Sequence, residues 1–190
     1  MKKVVFLFCF FTVLTAQAEE RTFQFGIMPV ISIFNVSDPY GPTQVTNGFN
    51  YLSGVMIVNA GRDSRLFADV SYDKYSLTAT QSDIGQDVSR TGGSVSYQTL
   101  LRVSRDWKPW AGIGLGAASE SYKNRYTLSP GGFSIAANPS ERSLNALYLA
   151  LSLSSEWQLN KSWNMGVHLK YEQPAGDGTK ALRLGMYFVF

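Results

Sequence analysis

The chain has 190 residues, a formal charge of +3, one histidine and one cysteine. That length suits a single domain. The weak charge gives no footprint for nucleic acid, and a lone imidazole, His168, excludes a histidine-rich metal site.

The first segment reads as an export signal. Lys2 and Lys3 precede an apolar run from Val4 to Leu14, and Ala16-Gln17-Ala18 follows as a small-x-small cleavage site. The run is too short to span a bilayer comfortably. Residues 1–18 are therefore expected to be removed and residues 19–190 to form the mature domain. Cleavage takes Cys9 away, leaving no thiol for a disulfide, a metal or a nucleophile. Losing Lys2 and Lys3 lowers the formal charge to +1.

From Phe23 onward the pattern has period two, and no segment argues for a helix. The first two strands are expected near 22–36 and 48–59. Both are apolar on two faces in places, so their register stays open. Pro29 cannot donate to a ladder, which predicts a bulge or local irregularity there. In the third, Leu66, Ala68, Val70 and Tyr72 oppose Phe67, Asp69, Ser71 and Asp73. In the fourth, Val95, Tyr97, Thr99, Leu101 and Val103 oppose Ser94, Ser96, Gln98, Leu100 and Arg102. In the fifth, Ala111, Ile113, Leu115 and Ala117 oppose Gly112, Gly114, Gly116, Ala118 and Glu120. The sixth is the clearest: Leu147, Leu149, Leu151, Leu153, Trp157 and Leu159 face away from Tyr148, Ala150, Ser152, Ser154, Glu156 and Gln158. The seventh sets Trp163, Met165, Val167, Leu169 and Tyr171 against Asn164, Gly166, His168, Lys170 and Glu172. The eighth sets Leu182, Leu184, Met186, Phe188 and Phe190 against Ala181, Arg183, Gly185, Tyr187 and Val189.

The connectors alternate in length. Short turns are expected near 60–64, 105–108 and 160–162, with longer links at 37–47, 79–91 and 123–142 and a shorter fourth at 174–179. Transmembrane barrels show this asymmetry, with tight turns on the periplasmic side and long loops outside. The fold expected is all-β, an eight-stranded antiparallel transmembrane up-and-down β-barrel. A soluble barrel would turn the oily face inward, but eight strands leave a lumen just wide enough for side chains. The bulky leucines compete for that space, whereas the polar face supplies both charge signs and small residues. The oily face therefore belongs in lipid, where a closed barrel also satisfies every backbone group. Trp107, Trp110, Trp157 and Trp163, with Phe190, fall near the short-turn end and suggest one interfacial girdle. Tyr51, Tyr72, Tyr97 and Tyr171 are candidates for the other.

The C-terminal segment Leu182-Arg183-Leu184-Gly185-Met186-Tyr187-Phe188-Val189-Phe190 resembles the C-terminal recognition signal of bacterial outer-membrane proteins, carried by Leu184, Met186, Phe188 and Phe190. The segment Pro109-Trp110-Ala111-Gly112-Ile113-Gly114-Leu115-Gly116 is similar to a glycine-rich strand common in the small OmpA/OmpX-like barrel families. The resemblance implies insertion by the outer-membrane assembly machinery and residence in the bacterial outer membrane, among its lipid and lipopolysaccharide.

No catalytic, cofactor or metal site is expected. Gly112, Gly114 and Gly116 do not match the spacing of a nucleotide-binding loop, and no helix follows. Some small outer-membrane barrels are lipid A-modifying enzymes, but the deacylase type resembles a His-x-Ser pair. Here Gly166 and Lys170 flank His168 two positions away. The inward charges Asp69, Arg102, Glu156, His168, Lys170 and Arg183 are expected to form a lumen network, because unpaired buried charge is costly. Lys123, Arg125 and Arg142, at the ends of the longest connector, are candidate contacts for lipopolysaccharide phosphates. The function expected is a non-enzymatic barrel with a plugged, salt-bridged lumen, whose loops support the envelope or bind partners. A narrow channel for small solutes or hydrophobic molecules is the alternative, and a membrane-lipid-modifying enzyme the second. Deleting Phe190 should lower the amount of assembled barrel, read as loss of the heat-sensitive fast-migrating band in outer-membrane fractions; unchanged assembly would contradict the terminal signal.

Overall fold

The computed structural model describes residues 23–37, 43–80, 82–104, 107–159 and 163–190, the side chains of Tyr51 and Leu52 excepted. The proposed signal segment 1–18, and the turn at 160–162, lie outside those residues. Among the described residues nine strands occur in chain order: β1 (Phe23–Val36), β2 (Gln44–Gly61), β3 (Ser64–Leu77), β4 (Gly85–Leu100), β5 (Trp110–Leu128), β6 (Ser134–Ala136), β7 (Arg142–Gln158), β8 (Asn164–Pro174) and β9 (Lys180–Val189). Eight of them close a barrel in the order β4-β3-β2-β1-β9-β8-β7-β5, with β5 pairing back onto β4. Every pairing is antiparallel. The short β6 lies outside this ring and pairs only with the far end of β5, at Tyr126 to Leu128.

Closure joins the first and last strands, β1 and β9. Phe25 N–H donates to Phe190 O at 3.1 Å and Phe190 N–H donates to Phe25 O at 3.0 Å. The terminal phenylalanine thus finishes the β1–β9 seam, and its ring packs on Trp163 with centroids 5.1 Å apart.

Burial follows the alternation. Leu149, Leu151, Leu184 and Met186 lie on the exposed face, with Val167 beside them, while Ala150, Ser152, Ser154, His168 and Lys170 are buried. The exposed face is leucine, isoleucine, valine and aromatic over most of its area, which in water would be an aggregation surface and in lipid is the solvated one.

Two irregularities account for what alternation could not place. Opposite Pro29, two steps on β1 (Met28 to Val30) correspond to three on β2 (Ser53 to Asn50). The extra residue lies on β2, and it flips the phase of that strand: Asn50 is buried on one side of it, Ser53, Val55 and Ile57 on the other. A single period therefore cannot describe β2. The second irregularity sits where β4 Gly85 to Asp87 faces β5 Tyr126 to Lys123. Here Asn124 takes a positive φ of 52°, a conformation asparagine tolerates better than most residues.

Several expectations need correction. β4 begins at Gly85, so much of the expected 79–91 loop is strand. β4 also ends at Leu100, which places Leu101, Arg102 and Val103 in the following connector. The 123–142 link is shorter than expected, because β5 runs on to Leu128 and β6 follows. Trp110 leaves the girdle: its ring lies inside the barrel end under the Arg65 guanidinium, 4.3 Å from the centroid. Trp107, Trp157 and Trp163 remain exposed. Tyr97 is outward but only three residues from the short-turn end of β4, so it belongs with those tryptophans and not with Tyr72 and Tyr171.

A bilayer-spanning strand needs about 9–11 residues. β2, β4, β5 and β7 have 18, 16, 19 and 17, so they continue beyond the bilayer on the long-loop side. Leu151 sits midway along the apolar run of β7. Leu151→Arg should therefore cost about 2–4 kcal/mol in a urea titration of the barrel refolded in lipid vesicles. A change below about 0.5 kcal/mol, the scatter of ordinary surface substitutions, would contradict the facing.

Candidate functional site: the charged lumen

The alternation that oils the outside delivers charge to the inside, and eight strands bring opposite walls within side-chain reach. The network has three levels.

At the short-turn end, Arg65 of β3 reaches Glu156 of β7 at 2.6 Å, and its Nε donates to Gln98 Oε1 at 2.8 Å. Tyr187 OH donates to Glu156 Oε2 at 2.9 Å, and Asn164 Nδ2 to Oε1 at 3.0 Å. Gly166 makes room for that phenol: a Cβ there would fall 2.2 Å from the Tyr187 ring. Next to this level, His168 stacks on Phe67 with centroids 4.2 Å apart, and its Nδ1 is 2.8 Å from Ser154 Oγ.

In the middle, Lys170 of β8 binds Asp69 of β3 at 2.5 Å and Glu172 at 2.8 Å. β3 and β8 are four places apart in a ring of eight, so this bridge runs between diametrically opposed strands. Ser94 Oγ donates to Asp69 at 2.5 Å and accepts from Lys170 Nζ at 3.1 Å.

Toward the long loops, Arg183 of β9 holds Asp73 of β3 through two nitrogens, at 2.7 and 3.2 Å, and lies 3.2 Å from Glu172. Arg90 of β4 binds Glu172 at 2.8 Å and Glu120 at 3.2 Å. Glu120 is saturated: it also accepts from Tyr122 OH, from Tyr148 OH at 2.5 Å and from Thr179 Oγ1 at 2.9 Å. Arg65, Arg90, Lys170 and Arg183 thus meet Asp69, Asp73, Glu120, Glu156 and Glu172 inside the barrel. Charge-assisted hydrogen bonds of this kind are the strong ones, and a low dielectric strengthens them while penalising any member left alone.

Of the expected network, the structure brings Asp69, Lys170 and Arg183 into one connected group with their partners, and Glu156 into the level below. His168 lies in the same lumen but bonds to a serine, not to a charge. Arg102 is a correction. It stands outside the lumen, exposed, bound to Asp63 at 2.7 Å across the turn region, because β4 ends two residues before it. Sequence reading missed Arg65 and Arg90. Arg65 is the second residue of β3, before the first alternating leucine, and Arg90 lies where β4 is polar on both faces.

The candidate phosphate contacts also separate. Lys123 is exposed. Arg125 is not available, being buried with its guanidinium on Gln86 Oε1 at 3.0 Å and Pro139 O at 2.6 Å. Arg142 is half-buried, 5.5 Å from the centroid of the Tyr122 ring. Both correct the expectation of free surface cations.

A closed barrel of eight strands, apolar outside and charged within, defines a transmembrane β-barrel of the class found in bacterial outer membranes. No protein-family model matches the chain, and no curated protein matches it in sequence. Solved structures do. Neisserial surface protein A (NspA) is 15% identical, covering 90% of this chain and 98% of its own, with a TM-score of 0.57. OprG of Pseudomonas aeruginosa is 9% identical over 88% of this chain and 92% of its own, with a TM-score of 0.53. Ail, the attachment invasion locus protein of Yersinia pestis, is 11% identical over 88% and 98%, with a TM-score of 0.51. At these identities the likeness is one of fold: small eight-stranded outer-membrane barrels.

Arg183→Ala leaves Asp73 and Glu172 undercompensated in the lumen and should cost about 3–5 kcal/mol in urea unfolding. Adding Asp73→Ala should return part of that loss. Additive penalties would show that the pair does not act as a unit.

Proposed function

We propose that the protein is a non-enzymatic barrel of the bacterial outer membrane, closed through its middle, that acts through its outer surfaces and loops. The observation that carries this reading is the Lys170–Asp69 bridge between opposed strands, flanked on either side by the Arg183–Asp73 and Arg65–Glu156 bridges. Each ties β3 to a strand three or four places away in the ring. Side chains that touch across the lumen leave no wide aqueous path. Their removal would strand charge, so the interior is a staple and not a conduit.

A lipid-modifying activity would need reactive groups on the outward face, where acyl chains lie. His168 is 2% exposed and faces inward, so it offers no such group. What the outside does offer is a projecting hairpin. β5 and β6 extend beyond the ring, with Phe133 and Ile135 exposed at 76% and 54%. These are the side chains we assign to partner contact or envelope support.

Purified wild-type protein in a planar bilayer should give no steady, sizeable single-channel current, with folded insertion verified on the same sample by heat-dependent gel mobility. Reproducible conductance steps would replace the closed-barrel reading with the channel.

A further inference from the structure

The outer wall carries a groove of about 720 Å³ that the closed lumen does not explain. Its floor is made of small residues that face outward on four neighbouring strands: Gly54, Ala68, Gly93 and Ala117. Register makes this one surface. Gly54 pairs with Val70, Val70 with Gly93, Gly93 with Ala117, and Ala117 with Leu147. The next row toward the short turns, Ala68, Val95, Leu115 and Leu149, is also continuous. Here the belt is indented around these small residues, with Phe25, Met56, Leu115 and Leu147 about the dent and the exposed Val70 and Val95 side chains dividing its floor.

The same strands change character immediately above it. The row toward the long loops is Tyr72, Thr91, Ser119 and Asn145, and the one after that is Lys74, Ser89, Ser121 and Ser143. Lys123 follows, paired in register with Asp87. This face carries the exposed lysines Lys74 and Lys123, Asp87, which is already held by Ser76 Oγ and Asn124 Nδ2 at 2.7 Å each, and the exposed Glu141 one residue before β7. Lys74 lies four residues beyond Val70, roughly 13 Å at about 3.3 Å per residue. That separates an apolar trough at hydrocarbon depth from hydroxyls and ammonium groups at headgroup depth, on the side of the long loops and so on the outer leaflet.

We propose that this face is a binding site for one phosphorylated glycolipid of the outer leaflet, of the lipid A type. One acyl chain fills the Gly54–Ala68–Gly93–Ala117 trough. The sugar hydroxyls meet Thr91, Ser119 and Asn145, and the phosphates meet Lys74 and Lys123. Both halves of the ligand are needed to explain the surface: a second barrel would fill the trough but not use the lysines, and a free phosphate would leave the trough empty. The site rests on the outer-membrane placement proposed above and gives it a specific lipid partner.

The substitution that tests the trough is Gly54→Phe. A Cβ at Gly54 meets nothing within 4 Å, so the ring enters the groove without disturbing the barrel. The second is Lys74→Gln with Lys123→Gln, exposed positions outside the lumen network. Wild type and both variants are reconstituted into phosphatidylcholine vesicles containing bisphosphorylated lipid A, extracted in mild detergent, and scored by native mass spectrometry for lipid A retained per barrel. Folding is checked on each sample by heat-dependent gel mobility. Wild type should retain lipid A. Each variant should lose about tenfold in retention: displacing two buried methylenes is worth that much for Gly54→Phe, and removing two headgroup-level charges a comparable factor for the double lysine variant. Full retention by Gly54→Phe, full retention by the double lysine variant, or equal retention of phosphatidylglycerol by the wild type would each overturn the site. Dimers without lipid would overturn it in favour of a second copy. Because the vesicles supply the lipid, the result is readable even if cell fractionation were to place the protein elsewhere, which would remove the outer-membrane reading alone.

Discussion

Charge inside a narrow barrel in lipid has nowhere to go but across. Eight strands give a lumen about as wide as two side chains, and the bilayer outside denies any charged group an escape. Every cation on one wall therefore needs an anion on another, and the pairings fix which strands stand opposite. Lys170 and Asp69 bind β8 to β3, Arg183 and Asp73 bind β9 to β3, and Arg65 and Glu156 bind β3 to β7. β3 is the common anchor. The exterior imposes a complementary demand for apolar side chains, and the strict alternation of β7 and β9 is what remains when both demands act on each successive residue.

That double demand decides how much could be read from sequence. Where a strand lies in hydrocarbon, as at Leu147 to Leu153 or Leu182 to Phe190, the contrast between faces is large and the element is legible. Where a strand rises past the hydrocarbon, as β4 does, the outer face turns polar too. Thr91, Ser89 and Asp87 then look like loop, and Arg90 on the inner face is hidden among them. Arg65 was lost at the other end for a similar reason, since β3 begins in the polar Arg62-Asp63-Ser64 turn. Arg102 was misplaced because alternation continues by chance through Leu101 and Val103 after the strand has ended. Pairings across the lumen depend on the stagger of the whole ring, which no single strand records.

The β2 irregularity shows a different limit. Pro29 announced a disturbance on β1, but the extra residue appears on the partner strand, where it reverses which residues face inward. Composition gave no hint of this, because the buried Val55 and Ile57 are as apolar as their outward neighbour Met56. The tryptophans were legible as a group through their position near short turns. Trp110 departs to the inner face, where the Arg65 guanidinium lies over its ring inside the barrel end, a favourable contact worth more where water is excluded.

The lumen charges act as a connected staple between opposite strands. A double-mutant cycle on Asp69 and Lys170 tests it most directly, using Asp69→Asn, Lys170→Met and the pair in urea unfolding of the vesicle-embedded barrel. A connected staple gives a coupling energy of about 1–3 kcal/mol, with the double variant more stable than the two separate losses would give. A coupling within about 0.5 kcal/mol of zero, the range of independent sites, would contradict it.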